Sequence, residues 1–239
     1  MSERRLRSLK GGRLLLGGFL VLLSVLLIGR WGVSLYVDLL WFSAQSLADV
    51  FLTQIFWEWG ARLLVGLAAA LLAWVNLRVV AKTFTGLRLR RKLGDLVIQQ
   101  QFPVSYVRWG LLFGCLFVGF WFATAIPDGT GLGVMLLLNA DSWGTVDPIL
   151  GRDLGFYLFV LPVLHGSNTL VLIMTMFFGV VSAGGYVATG SITWADNRLV
   201  IERLPRLHLG VLAGVFIVLP GLRFYLAPYG LLLDGNSGV

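Results

Sequence analysis

An all-α, polytopic transmembrane bundle of about five spans with one added interfacial helix is the fold this sequence predicts, on three observations. Of its 239 residues 57% are hydrophobic and 13% charged, against roughly 45–50% and 25% in a soluble domain. Five stretches are apolar over the roughly 20 residues that a spanning helix requires. Basic residues gather in alternate links between these stretches, and acidic residues in the others. The mean hydropathy of +0.84 excludes an ordinary soluble domain and a disordered chain, since both need far more polar sequence.

The first stretch runs from about Leu14 to Tyr36 behind Arg4, Arg5, Arg7, Lys10 and Arg13. That beginning is like a secretory signal, but signal cores run only about 7–15 residues. Here the apolar run continues past Arg30 to Phe42, so an uncleaved anchor is expected. The second stretch runs from about Phe51 to Val80 and carries Glu58 and Arg62. At i and i+4 these two share a helix face and are close enough to pair. At about 1.5 Å per residue, Arg62 falls roughly 15 Å inside its span, near the bilayer centre. An ionisable group there is a functional candidate. A self-neutralised pair that locks the helix into the bundle is the preferred reading, with an ion or proton path as the alternative.

The third stretch, about Tyr106 to Ile126, holds the single cysteine, Cys115, which excludes an intrachain disulfide framework and a CxxC metal site. The fourth runs from about Leu161 to Val187 and the fifth from about Leu207 to Leu226. Small residues one turn apart recur within the spans: Gly110 and Gly114, Gly179 and Ala183, Gly210 and Gly214, Gly66 and Ala70. Helices in lipid associate through such close-packing faces, so these glycines are the candidate helix-packing positions. Residues 1–13 form a basic N-terminus, 14–227 the bundle, and 228–239 a C-terminal tail on the far side.

Charge sets the orientation. Arg78, Lys82, Arg88, Arg90, Arg91 and Lys92 flank or fill the link between spans two and three, and Arg198, Arg203 and Arg206 the link between spans four and five. The other links hold Asp38, Asp49, Asp128, Asp141, Asp147 and Asp153 against Arg152. Lys and Arg mark cytoplasmic loops, so the N-terminus is expected in the cytoplasm of a bacterial plasma membrane, or of a thylakoid membrane if the source is cyanobacterial. This distribution accounts for the net charge of +7, and no nucleic-acid partner is needed. Trp41, Trp57, Trp59, Trp109 and Trp194 fall near span ends, where amphipathic rings settle. Arg30, Arg108 and Arg223 are expected near span ends too, with their heads reaching the headgroups.

The link from Pro127 to about Val160 is long for a helix connection, and long ordered loops are often functional. Gly133 to Asn139 is too short to span and reads as an interfacial helix. The chain continues as Asp147-Pro148-Ile-Leu-Gly151-Arg-Asp153-Leu-Gly-Phe156-Tyr157-Leu-Phe159-Val-Leu-Pro162. Asp147-Pro148 starts a turn, Asp153 is placed to cap the next helix, and Pro162 suits the start of a helix. Phe156, Tyr157 and Phe159 are too apolar for open water, so this segment is the candidate contact surface for a partner protein.

This stretch resembles the signature of a bacterial membrane family, uncharacterised protein family 0182, which reads Asp-Pro-x-Phe-Gly-x-Asp-x-x-Phe-Tyr-x-Phe-x-Leu-Pro. Asp147, Pro148, Gly151, Asp153, Phe156, Tyr157, Phe159, Leu161 and Pro162 match it. Leu150 stands in place of the usual Phe, and Val160 where an acidic residue is common. Asp38-Leu-Leu-Trp-Phe42 and His208-Leu209 agree in order. The resemblance implies a multispan protein of about seven helices followed by a large extracytoplasmic part. It implies no activity.

Catalytic patterns are missing from the sequence: it has no GxxxxGK[ST], no HExxH, and no GxGxxG after a strand. His165 and His208 fall on opposite predicted sides and read as interface-level polar contacts. Asp147 and Asp153 read as turn caps rather than calcium ligands. The expectation is a non-catalytic membrane scaffold or accessory subunit, with no cofactor and no metal, that packs with lipid and other integral membrane proteins. A transporter or channel component built on Glu58 and Arg62 is the alternative.

Overall fold

In the computed structural model, residues 2–84, 88–93, 96–101, 104–195 and 197–231 are described. Part of the expected C-terminal tail, residues 232–239, lies outside them. Five helices are long and apolar enough to cross a membrane, over Gly17–Ala44, Ala48–Thr83, Ser105–Ala125, Phe156–Ala188 and Arg203–Leu231. The all-α expectation stands, with two additions that hydropathy does not predict. Both links expected at the basic end carry a short antiparallel hairpin.

The chain divides into two compact units, residues 1–55 and 56–239. In the first, α1 (Ser2–Ala44) is one continuous helix. It begins well before the expected Leu14, because the basic segment carries no helix breaker apart from Gly11 and Gly12. Arg30 lies midway along the apolar part of α1, not near its end. The chain reverses at residues 45–47, where Ser46 takes φ 61° and Leu47 donates its N–H to the Phe42 carbonyl at 2.9 Å. Phe42 then stacks on Phe51, with centroids 4.9 Å apart.

Helix α2 (Ala48–Phe84) leads into the second unit. Its inward face reads Gly66, Ala69, Ala73, Asn76, Val80 at helical spacing, all buried. Small side chains there allow neighbours to approach closely. The core is built from Ala69 and Ala73 of α2, Cys115, Val118 and Phe122 of α3 (Val104–Ala125), and Met174 and Phe178 of α5 (Leu161–Ala188). Between α2 and α3, β1 (Arg88–Leu93) pairs with β2 (Leu96–Gln101), with Arg88 opposite Gln101. Between α5 and α6 (Arg203–Leu231), β3 (Ile192–Ala195) pairs with β4 (Arg198–Ile201).

The interfacial helix appears as α4 (Thr130–Leu138). It begins at Thr130 rather than Gly133 and packs on α2 through the buried Gly131, where an added Cβ would collide with the backbone of Trp57 and Glu58. A π-helical turn, Phe156–Val160, precedes α5. Pro162 explains it: its ring has no N–H to give and crowds the carbonyl four residues back, and the widened turn relieves both. Pro220 and Pro228 lie inside α6, not at its ends, and Arg223 lies between them within the same helix. Beside Pro220, the buried Asn168 of α5 donates its side-chain N–H to the Leu219 carbonyl at 3.1 Å.

Candidate functional site

Arg62 is the centre of a polar cluster that joins three parts of the chain. Its Nη2 donates to Glu58 Oε1 at 2.8 Å and to Asp128 Oδ1 at 2.6 Å. Its Nη1 reaches the Ala123 carbonyl at 3.4 Å. Glu58 Oε2 in turn accepts the Gly131 backbone N–H at 2.9 Å. The side chains of Arg62 and Glu58 are 15% and 18% exposed, whereas Asp128 is fully exposed. The i, i+4 pair therefore forms as expected, and it ties α2 to the end of α3 and the start of α4.

The level of the pair differs from the expectation. Arg62 meets Ala123, two residues before α3 ends, and Asp128 just beyond that end. The cluster thus lies at the acidic end of α3, not at its middle. From Arg62 to Phe84 is 22 residues, about 33 Å of helix, which alone spans the hydrocarbon. The depth counted from the start of an apolar run misplaces Arg62 because α2 is much longer than α3.

Close crossing of α2 and α3 sets the cluster. A Cβ on Gly119 would lie 2.8 Å from the Gly66 carbonyl oxygen and 2.9 Å from the Ala70 Cβ. Beside Arg62 the two helices leave a recess of about 410 Å³. Trp59, Leu63, Phe120 and Thr124 line it together with the charged groups. Among the small-residue pairs, Gly66 and Ala70 thus meet a neighbour, and Gly114 makes only an ordinary contact with Leu77 at 3.7 Å. Gly110, Gly179, Gly210 and Gly214 face open space among the described residues. Spacing identifies a shared helix face but not which face meets a neighbour, so four of the six candidate glycines have none within 4 Å among the described residues.

A second polar chain links three helices at the basic end. Asn76 Nδ2 donates to the Leu72 carbonyl at 2.7 Å, which leaves Oδ1 as the acceptor toward His208 Nε2 at 3.0 Å. His208 Nε2 therefore carries the proton, and Nδ1 accepts from the Tyr186 hydroxyl at 2.8 Å. Tyr186 is fully buried and Asn76 nearly so. His208, five residues into α6, bridges α2 and α5 from within the bundle. Asn76 was legible in principle, because it extends the Arg62, Ala69, Ala73 stripe by one turn. His165 sits half-buried on α5, away from this chain.

The signature segment folds around its two aspartates. Asp153 accepts from the N–H groups of Trp143 at 3.1 Å, Gly144 at 3.0 Å and Gly155 at 2.7 Å, and from the Ser142 hydroxyl at 2.8 Å. Asp147 accepts from the N–H groups of Leu150 at 2.6 Å and Ile149 at 3.3 Å and from the Tyr157 hydroxyl at 3.1 Å. Gly151, at φ 66°, takes the backbone conformation that disfavours a side chain. Both carboxyls are held below the usual aspartate range, Asp147 chiefly by the Leu150 N–H and Asp153 chiefly by the Trp143 N–H. The expected turn and cap roles are what the geometry contains.

The aromatic residues correct the contact-surface expectation. Tyr157 is buried and clusters with Leu161 and Leu226, with Phe156 and Tyr229 packed against them. Phe156 and Tyr229 meet edge-on at 5.4 Å, and Arg152 lies over the Phe156 ring at 5.4 Å. Phe159 is half-buried beside Trp143. Phe156 and Tyr157 are thus internal packing between the start of α5 and the end of α6, because α6 offers them an apolar wall that no sequence pattern reveals. Pro148 and Pro162 remain exposed.

The model of the uncharacterised protein family UPF0182 matches residues 15–239. Among curated relatives, a UPF0182 protein of Geobacter sp. (strain M21) is 31% identical over 86% of this chain and 23% of its own length. One of Pelobacter propionicus is 30% identical over 91% of this chain and 24% of its own. One of Rhodococcus opacus is 28% identical over 95% of this chain and 23% of its own. The chain therefore spans about a quarter of the length of these relatives. No solved structure matches. With a match covering nearly all of its length, and with the Asp147–Pro162 segment folded as one unit, the chain belongs to the uncharacterised protein family UPF0182.

Proposed function

We propose that this chain is a non-catalytic, membrane-embedded scaffold or accessory module of the bacterial plasma membrane, which packs with lipid and with other integral membrane proteins. One observation carries the reading: both partners of the half-buried charge pair are spent on structure. Arg62 is divided among Glu58, Asp128 and the Ala123 carbonyl, and Glu58 gives its second oxygen to Gly131. Charges arranged in this way fix α2, α3 and α4 to one another. A proton or ion relay needs titratable groups in series across the bilayer. The signature aspartates are likewise spent on backbone N–H groups. By the distribution of Lys and Arg, the N-terminus and both hairpins face the cytoplasm.

A transporter or channel component is the second reading, and Pro220 favours it. Transport proteins interrupt helices within the membrane and satisfy the freed backbone from neighbours, and Asn168 bonds a carbonyl next to this proline. Native purification in mild detergent separates the two readings. A defined complex with another membrane protein supports the scaffold. The opposite result is a lone chain whose ion flux in proteoliposomes disappears when Glu58 and Arg62 are both replaced by Leu with the fold intact.

A further inference from the structure

The recess between α2 and α3 has a donor and acceptor inventory that its structural role does not use. It holds one guanidinium and two carboxylates, a formal charge of −1. Three of the five Arg62 N–H donors are committed, to Glu58, Asp128 and Ala123. Both Glu58 oxygens are occupied. Asp128 uses Oδ1 alone, and its Oδ2 has no hydrogen bond among the described residues. Thr124 spends its proton on the Phe120 or Trp121 carbonyl, at 3.1 and 3.0 Å, so its oxygen offers only lone pairs. The open carboxylate and hydroxyl oxygens are therefore acceptors beside a negative formal charge. Leu63, Phe120 and Trp59 supply the remaining walls, and the face of an aromatic ring attracts cations. At about 410 Å³ the space is of ligand size.

We infer that this recess binds a primary ammonium group carried on an apolar body. A primary ammonium has three donors and no acceptor. Asp128 Oδ2 and Thr124 Oγ1 take two of them, and an aromatic face receives the remaining charge. The site stands at the end of α3, so the ammonium belongs either to a phosphatidylethanolamine headgroup or to a soluble amphiphilic amine. An anion is disfavoured, since beside Arg62 it meets the carboxylates of Glu58 and Asp128 and a formal charge of −1. Binding at the recess is measured without reference to protein partners, so it stands or falls independently of the scaffold role.

The test uses the whole chain in phosphatidylcholine nanodiscs, titrated with decylammonium and with decyl sulfate by calorimetry. Decylammonium is expected to bind and decyl sulfate not. Asp128→Asn, which keeps an acceptor for Arg62, is expected to weaken decylammonium about tenfold, the equivalent of one charge-assisted hydrogen bond. Thr124→Val leaves the ion pairs untouched and is expected to weaken it severalfold, which keeps the test decisive if Asp128→Asn misfolds. In nanodiscs doped with phosphatidylethanolamine, native mass spectrometry after detergent extraction identifies the source. Selective retention of that lipid assigns the headgroup, and equal retention of both lipids with decylammonium binding intact assigns a soluble amine. Equal binding of decyl sulfate, or unchanged decylammonium affinity in both variants, overturns the inference.

Discussion

Arg62 shows how much one residue depends on its neighbours. Taking a guanidinium out of water is costly unless its donors are met, and here acceptors from three parts of the chain meet three of its five. Breaking such a pair leaves the other charge stranded. Arg62→Leu is therefore expected to destabilise the bundle by about 3 kcal/mol, and Glu58→Leu with Arg62→Leu is expected to recover much of that loss. Thermal unfolding in detergent measures both, and a double variant as unstable as the worse single one would contradict the account. Asp153 makes a different prediction. Its folded pKa lies below the unfolded value, so its contribution is present above about pH 3.9 and is lost as pH falls through the folded value. The Gly144 and Gly155 amide resonances should shift together in acid, below the ordinary aspartate range. In Asp153→Asn that acid transition should be absent.

At the scale of elements, close approach rather than small-residue spacing decides which glycines matter. Gly119 and Gly131 each leave no room for a methyl group. Gly119→Ala and Gly131→Ala are expected to cost about 1–3 kcal/mol, the usual range for overpacking, and Gly131→Ala should also release α4 from Glu58. Gly210, by contrast, has nothing within 4 Å, and Gly210→Ala should leave stability unchanged or raise it by up to about 1 kcal/mol through helix propensity. Unfolding midpoints of the three variants check this, and equal effects would show that the helix faces are wrongly assigned. The hairpin after α2 was partly legible in Gly94-Asp95 followed by Leu96-Val-Ile, a turn signal and a β-prone run. The dense positive charge around it reports orientation and masks that local signal.

At the scale of the whole molecule, alternation of charge predicts which end faces the cytoplasm. Reporter tags after Lys92 and after Arg206 should read cytoplasmic, and tags between Pro127 and Asp147 should read external. A cytoplasmic signal from that link would invert the arrangement.

Five apolar helices, the odd-numbered topology and the pairing of Glu58 with Arg62 come from the sequence alone, because hydropathy and helical period are local properties. So do the capping roles of Asp147 and Asp153, whose donors lie within eleven residues of them. Asp128 as the third member of the Arg62 cluster, His208 bridging Asn76 and Tyr186, and Tyr157 turned inward against Leu226 were decided only in three dimensions. Their partners are 66, 132 and 22 residues away in the first two cases, and on another helix in the third. An apolar helix presents hydrophobic side chains all round, so its sequence does not tell which face meets lipid and which meets protein. Only the packing of α2 against α3 and α5 makes that choice, and with it the place where charge and open space come together.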